Sequence, residues 1–132
     1  MLDIDDFKSV NDIYGHQAGD ELLKSISDIL IGNLRVTDLV SRYGGDEFVI
    51  LIPDLPISDV LKICERLKSK IEKTNFNIPG QSAIIKKTIS MGVAEYKNQS
   101  VKQFIEEADK ALYNSKGAGK NQVSIISLIS NP

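Results

Sequence analysis

The chain has 132 residues, enough for one domain with a real core, and its 42% hydrophobic and 26% charged residues are those of an ordinary globular protein. A net charge of −2 gives no general attraction for nucleic acid, so no DNA binding is expected, and any nucleotide site must be a local patch of lysines and backbone amides. The single cysteine, Cys64, excludes an internal disulfide and suits a cytoplasmic protein, while no apolar run approaches the about 20 residues of a membrane span and the start lacks a signal-peptide layout.

Met1-Leu2 leads straight into Asp3-Ile4-Asp5, which reads as the end of a strand carrying acids. A central strand normally has about 5 or 6 residues, so the upstream part of this strand is expected to be missing. Phe7, Val10, Ile13 and Tyr14 recur at helical spacing, and Gly15 is a suitable stop. Asp5 and Asp6 lie where an N-cap and a first-turn acid belong, and capping explains Asp6. Asp3 sits inside the apolar strand end, where an acid is costly unless paired or bound to a metal. A turn over Gly15 to Gly19 leads to a second helix, with Asp20 as its cap and Leu22, Leu23, Ile26, Ile29, Leu30 and Leu34 as its apolar face. His16, the only histidine, has no neighbours to complete a metal set.

The connector Arg35-Val36-Thr37-Asp38 precedes a hairpin: Leu39 to Tyr43, then Gly44-Gly45, then Phe48 to Ile52. Two glycines between β-type runs suit a two-residue turn with positive φ at both positions. The second run reads as buried on both faces, which points to a hairpin central to the sheet. Asp46 and Glu47 follow the turn, and side-chain-free Gly44 and Gly45 would allow a ligand close to the backbone.

Ser58 opens a third helix with Val60, Ile63, Cys64, Leu67 and Ile71 inward, Cys64 being a small hydrophobe there. Phe76 to Ile78 and Ala83 to Ile85, around Pro79-Gly80, form a small outer hairpin. Thr88 to Tyr96 alternates with period two, and the small face of Ser90, Gly92 and Ala94 calls for a closely packed helix. A fourth helix starts with a Ser100/Gln103 capping box, buries Val101, Phe104, Ile105, Ala108 and Leu112, and stops at Gly117. A last strand runs from Val123 to Ile126, and residues 127–132 form a frayed tail. The order βααββαβαβ gives an α/β (α+β) fold: one domain over 1–132, with a central mixed five-stranded sheet flanked by helices and a truncated first strand.

Asp3, Asp46 and Glu47 lie at strand ends. If the first strand sits beside the hairpin, Asp3 and Asp46 meet. Oxygen ligands without His or Cys suit Mg²⁺ or Mn²⁺ rather than zinc. Backbone amides at the start of the first helix offer phosphate donors, and Lys8, Lys116 and Lys120 offer positive charge.

Several blocks taken together resemble the GGDEF family of bacterial diguanylate cyclases: Asp3-Ile4-Asp5-Asp6-Phe7-Lys8 with Asn11-Asp12, Tyr14-Gly15-His16 with Gly19-Asp20, Arg42 to Phe48, Ser90 to Ala94, and Ala108 to Tyr113 with Lys116. The resemblance runs from Asp3 to about Val123. It implies a nucleotide-cyclase-like palm that condenses two GTP into cyclic di-GMP with release of pyrophosphate. It implies metal at Asp3, Asp46 and the Ile4 carbonyl, with Glu47 assisting metal binding or deprotonation of the 3′-hydroxyl. It implies guanine contacts from Asn11 and Asp20, triphosphate contacts from Phe7, Lys8, Lys116 and Lys120, and room for the nucleotide at Gly44 and Gly45. Each domain would carry one GTP, so turnover needs a symmetric homodimer. Arg35 and Asp38 match the family's inhibitory R-x-x-D site for cyclic di-GMP. Ser115 and Lys120 depart mildly from the pattern, where alanine and arginine are common. The family's usual N-terminal helix is absent from the sequence, and a sensor domain is expected in the parent protein. Two other readings stand beside the enzyme: a non-catalytic module that senses GTP or cyclic di-GMP, and a polymerase-like palm with another substrate. The latter leaves Asn11, Asp20 and Arg35 to Asp38 unexplained together.

Overall fold

The structure, a computed structural model, describes residues 1–80 and 82–126. Its elements are β1 (Leu2–Ile4), α1 (Phe7–Tyr14), α2 (His16–Gly32), β2 (Leu39–Gly44), β3 (Glu47–Leu51), α3 (Ile57–Glu72), β4 (Phe76–Asn77), β5 (Ile84–Ile85), β6 (Ile89–Val93), α4 (Val101–Gly117) and β7 (Val123–Ile125). Five strands form one mixed sheet in the order β2-β3-β1-β6-β7, and β4 and β5 pair as the small outer hairpin expected from the sequence. Among the described residues only β6 and β7 run parallel. The element order and the mixed sheet are those expected from the sequence. The frayed tail expected at 127–132 lies outside the described residues.

The short β1 holds the centre. It pairs antiparallel with β3 on one side, setting Leu2 against Phe48 and Asp3 against Glu47. It pairs antiparallel with β6 on the other, setting Leu2 against Met91 and Asp3 against Ser90. Because side chains alternate across a strand, Leu2 and Ile4 point to one face and Asp3 to the other. Leu2, Ile4, Phe48, Ile89 and Met91 join Leu22, Ile26, Leu30, Leu67 and Ile71 in the core, all of them 3% exposed or less.

The opposite face of β6 is covered by α4. A side chain on Gly92 would place its Cβ 2.1 Å from the Leu112 backbone nitrogen and 2.3 Å from the Ala108 carbonyl oxygen. Ser115 is fully buried on the same helix, and its hydroxyl bonds the Met91 carbonyl at 2.7 Å and Ser124 Oγ at 2.6 Å. Ser115 therefore stitches α4 to β6 and β7. The Ser100/Gln103 capping box is formed.

Several local expectations are corrected. The helix α2 begins at His16, so Asp20 lies inside it rather than at its cap. Gly19 is a packing glycine, not part of a turn: a Cβ there would sit 1.9 Å from Asn11 Oδ1 on α1. Asp6 occupies the N-cap position of α1 with φ 54°, but its side chain makes no capping bond. Pro56, not Ser58, stands at the N-cap of α3. Ile13, counted in the helical spacing of α1, and Val101, read as inward on α4, are 70% and 72% exposed. Helical spacing marks a stripe but not its width, and both residues fall on its rim.

The hairpin also differs. Gly44 pairs with Glu47, so the two turn residues are Gly45 and Asp46, and of the two glycines only Gly45 has positive φ, at 45°. The ladder slips between Arg42 and Gly44, leaving Tyr43 as a bulge, which supplies the shift that two positive-φ residues would otherwise provide. The hairpin is not central: β2 is the edge strand, largely exposed, and on β3 only Phe48 is buried.

Replacing Gly92 by alanine is expected to lower stability by about 3 kcal/mol or more, because the obstacles on both sides are backbone atoms. Thermal or urea unfolding of Gly92→Ala beside the parent checks this.

Candidate active site

The antiparallel register of β1 and β3 puts Asp3 opposite Glu47, and the Ile4 amide donates to the Asp46 carbonyl at 3.3 Å. Acids from two stretches distant in the chain, Asp3 in one and Asp46 with Glu47 in the other, thus come to one end of the central strands. Asp3 is 5% exposed, and the Lys116 ammonium, reaching from the last turn of α4, bonds directly to its carboxylate. Burial pushes the Asp3 carboxyl up to about 6; Lys116 works against this, and the neighbouring Asp46 adds to it. Partial burial works to lower the Lys116 ammonium, but its bond to Asp3 carries it above the usual lysine range.

The ionised Asp3 is therefore held at a cost. Its folded-state value lies above its unfolded one, so its contribution to stability falls as pH rises from about 4 through about 6. A cation beside Asp3 and Asp46 would offset that cost. The donors present are oxygens only, which fits Mg²⁺ or Mn²⁺. Among the described residues no group of three or more His, Cys, Asp or Glu side chains is gathered for a metal. A metal here would rest on two carboxylates, a backbone carbonyl such as that of Ile4, and oxygens of its ligand.

The start of α1 faces the same end. Phe7 and Lys8 occupy its first turn, with no acid among the helical residues there. Asp6 instead binds Lys120 Nζ at 2.7 Å, which holds the Asp6 carboxyl below its usual range. Lys87 approaches from the other side, donating to the Asp6 carbonyl and to Ser9 Oγ, both at 3.1 Å. Its part in this cluster carries no signal in the sequence, since it belongs to an irregular segment before β6. The arrangement has two lysines bonded at the positive end of a helix, where an anion is favoured.

Asn11 lies where α1 crosses α2. Its Oδ1 is buried against Gly19 without a hydrogen-bond partner among the described residues, and the exposed Asp20 follows Gly19. Asp20 also borders a groove with Lys24, Arg42 and Phe48. Gly44 and Gly45 are exposed at the hairpin tip with open space about them, and Arg42 Nε braces the Gly45 carbonyl at 2.8 Å.

Arg35 and Asp38 are joined by a turn, with the Asp38 amide donating to the Arg35 carbonyl at 3.0 Å. The Arg35 guanidinium grips Asp38 through Nε at 3.2 Å and Nη2 at 2.8 Å, and Nη2 also donates to the Pro53 carbonyl at 2.7 Å. Arg35 is half-exposed, but the Asp38 side chain is fully buried. This lies at the other end of β2 from the acids.

Residues 1–122 match the family described as diguanylate cyclase, GGDEF domain. The chain belongs to the GGDEF family. It is 39% identical over 127 residues to diguanylate cyclase A of Treponema denticola, covering 95% of this chain and 34% of that protein. It is 36% identical over 125 residues to the response regulator PleD of Caulobacter vibrioides, covering 93% and 28%. Among solved structures it is similar to the GGDEF domain of DgcB from Caulobacter crescentus in complex with c-di-GMP, with a TM-score of 0.89 and 33% identity, covering 93% of this chain and 73% of that one. The chain spans about a third or less of the length of these two curated relatives.

Within this GGDEF domain, the Asp5 carboxyl is the functional-site neighbour that sequence reasoning misjudged. It is 5% exposed and accepts three hydrogen bonds, so it is not a cap. Cys64 is buried and its thiol is pushed up to about 11, as suits a small hydrophobe. No helix among the described residues is long and apolar enough to cross a membrane.

Arg35 holds the Asp38 carboxyl below its usual range. Asp38 therefore adds stability that is present above about pH 4 and lost as pH falls through its lowered value. Asp38→Asn is expected to destabilise the domain at pH 7 and to approach the parent's stability near pH 2, which urea titrations at the two pH values measure.

Proposed function

We propose that this domain condenses two GTP into cyclic di-GMP and releases two pyrophosphates. The observation that carries the reading is the convergence of Asp3, Asp46 and Lys116 beside the start of α1. The bonds to be made are phosphodiester bonds. A 3′-hydroxyl oxygen of one GTP attacks the α-phosphorus of the other, the bond from that phosphorus to the bridging oxygen breaks, and pyrophosphate leaves with the negative charge. The hydroxyl proton goes to a carboxylate, and Glu47 is the acid assigned to it. The same step with the two nucleotides' roles exchanged closes the ring and releases the second pyrophosphate.

Asp3, Asp46 and the Ile4 carbonyl would hold Mg²⁺ or Mn²⁺, which when bound polarises the phosphate and lowers the pKa of the attacking hydroxyl. The remaining work falls to the chain itself. Amides of Phe7 and Lys8 at the head of α1, with the Lys8, Lys116 and Lys120 ammoniums, hold the triphosphate. Lys116, bonded to Asp3 at the end of the central strands, is the ammonium that would turn to a phosphate there. Asn11 and Asp20 meet the guanine edge: a carboxylate accepts from N1–H and the exocyclic amine, a donor pair adenine lacks. The unmet Asn11 oxygen supports a polar partner at that crossing. Gly44 and Gly45 leave the hairpin tip open to the nucleotide.

One GTP per domain requires a two-fold pair of domains, so the working unit is a homodimer brought together by a sensing domain elsewhere in a longer protein. The product binds at Arg35 and Asp38 and inhibits. Arg35 already presents a fixed guanidinium there, which suits bidentate grip of a phosphate or guanine edge.

Incubation with GTP and Mg²⁺, followed by chromatography, tests the reading. Cyclic di-GMP from the parent, and a rate lowered about 100-fold or more in Asp46→Ala, are expected. GTP binding without product would favour a sensor module instead. Arg35→Ala is expected to raise the inhibitory product concentration about tenfold, and an unchanged inhibition curve would remove the site.

A further inference from the structure

Asp5 is a buried carboxylate that the proposed chemistry leaves without a task. Its own amide donates to the Thr88 carbonyl at 3.0 Å. Its Oδ1 accepts from Ser90 Oγ at 2.7 Å. Its Oδ2 accepts from Thr88 Oγ1 at 2.6 Å and from the Asn121 backbone N–H at 3.1 Å. A buried acid must be satisfied by such donors, and these come from two separate places: the entry to β6 and the loop between α4 and β7.

That loop has an unusual backbone. Lys120 and Asn121 both take left-handed conformations, with φ 65° and 49°, and neither is glycine. Two such residues in succession persist only where their surroundings impose them. The Lys120 amide is tied back to α4 through the Ser115 carbonyl at 3.0 Å. From outside the helix, Asp6 reaches the Lys120 ammonium and Asp5 reaches the Asn121 amide.

We infer that Asp5 is a positioning residue: by accepting the Asn121 N–H it holds the α4–β7 loop in its left-handed form, and so keeps the Lys120 ammonium beside the start of α1, where a triphosphate binds. Asp5 touches no substrate atom in this scheme and acts through Lys120. The inference rests on reading the site as a GTP site. It adds to that reading a reason why consecutive acids do different work: Asp6 engages the lysine side chain, and Asp5 sets the backbone that carries it.

The test is a double-mutant cycle read by equilibrium binding of 3′-deoxy-GTP with Mg²⁺, which cannot condense because it lacks the attacking hydroxyl. Lys120→Ala and Asp5→Ala are each expected to weaken binding about fivefold to tenfold, and the double variant to resemble either single one. A double variant weakened by the product of the two factors would show that Asp5 acts independently of Lys120 and would overturn the inference. Hydrogen exchange supplies the second readout. The Asn121 amide is expected to exchange about tenfold faster or more in Asp5→Ala, with Leu112 in α4 unchanged; unaltered exchange at Asn121 would equally overturn it. If Asp5→Ala does not fold, Asp5→Asn keeps the shape and one acceptor oxygen, and the same non-additivity with a smaller loss is expected. Failure of the parent to bind 3′-deoxy-GTP would overturn the GTP reading, and exchange at Asn121 would still decide whether Asp5 holds the loop.

Discussion

The structure turns on a three-residue strand flanked on both sides. With only Leu2, Asp3 and Ile4, β1 could not stand alone, yet it occupies the middle of the sheet between β3 and β6. Its alternation divides the labour. Leu2 and Ile4 secure it from one face through burial, worth roughly 1.5–3 kcal/mol for each such side chain. Asp3, facing the other way, is then forced into a place where a carboxylate is poorly solvated. Apolar burial on one side holds an uncomfortable charge on the other, and the lysine from α4 answers that charge directly.

Around this strand the acids and bases form a graded set. Asp3 is buried and pushed up, Asp6 is exposed and pulled down by Lys120, and Asp38 is buried but pulled down by Arg35. The sign of each shift follows from which influence dominates. At Asp3 burial and a second carboxylate outweigh the direct Lys116 bond and favour the proton; at Asp6 and Asp38 the direct bond to an ammonium or guanidinium prevails over burial and favours the anion. The first case lies at the end of the central strands and the last at the far end of β2.

Much of this was legible in the sequence because it is written in local patterns. The period-two alternation of Ile89 to Val93 marked both a strand and its close helix, and the Gly92 contact with α4 bears that out. The spacing of Ser100 and Gln103 gave a real capping box. Strand ends carrying Asp3 and Asp46 suggested a meeting that the register provides. What could not be read depends on neighbours remote in sequence. Gly19 looked like a turn residue because nothing local shows that Asn11 will press against it. Asp5 looked like a cap because its donors lie more than 80 residues downstream. The turn at Gly45-Asp46 was misplaced by one residue because a bulge at Tyr43 shifted the ladder, and bulges leave little trace in composition. Lys87 gave no signal at all, since only tertiary packing brings it to α1.

The central place of β1 also has a bearing on how the chain acquires its shape. This strand precedes both of its partners in the chain, and the second, β6, ends at Val93. During synthesis, which proceeds from the amino end, Leu2 and Ile4 must therefore wait through the emergence of three helices and two hairpins before their second neighbour, β6, is made. Lys116 is made later still. The ion pair of Asp3 with Lys116 therefore closes only once α4 has been made, so the charge at the centre of the sheet is answered from nearly the far end of the chain.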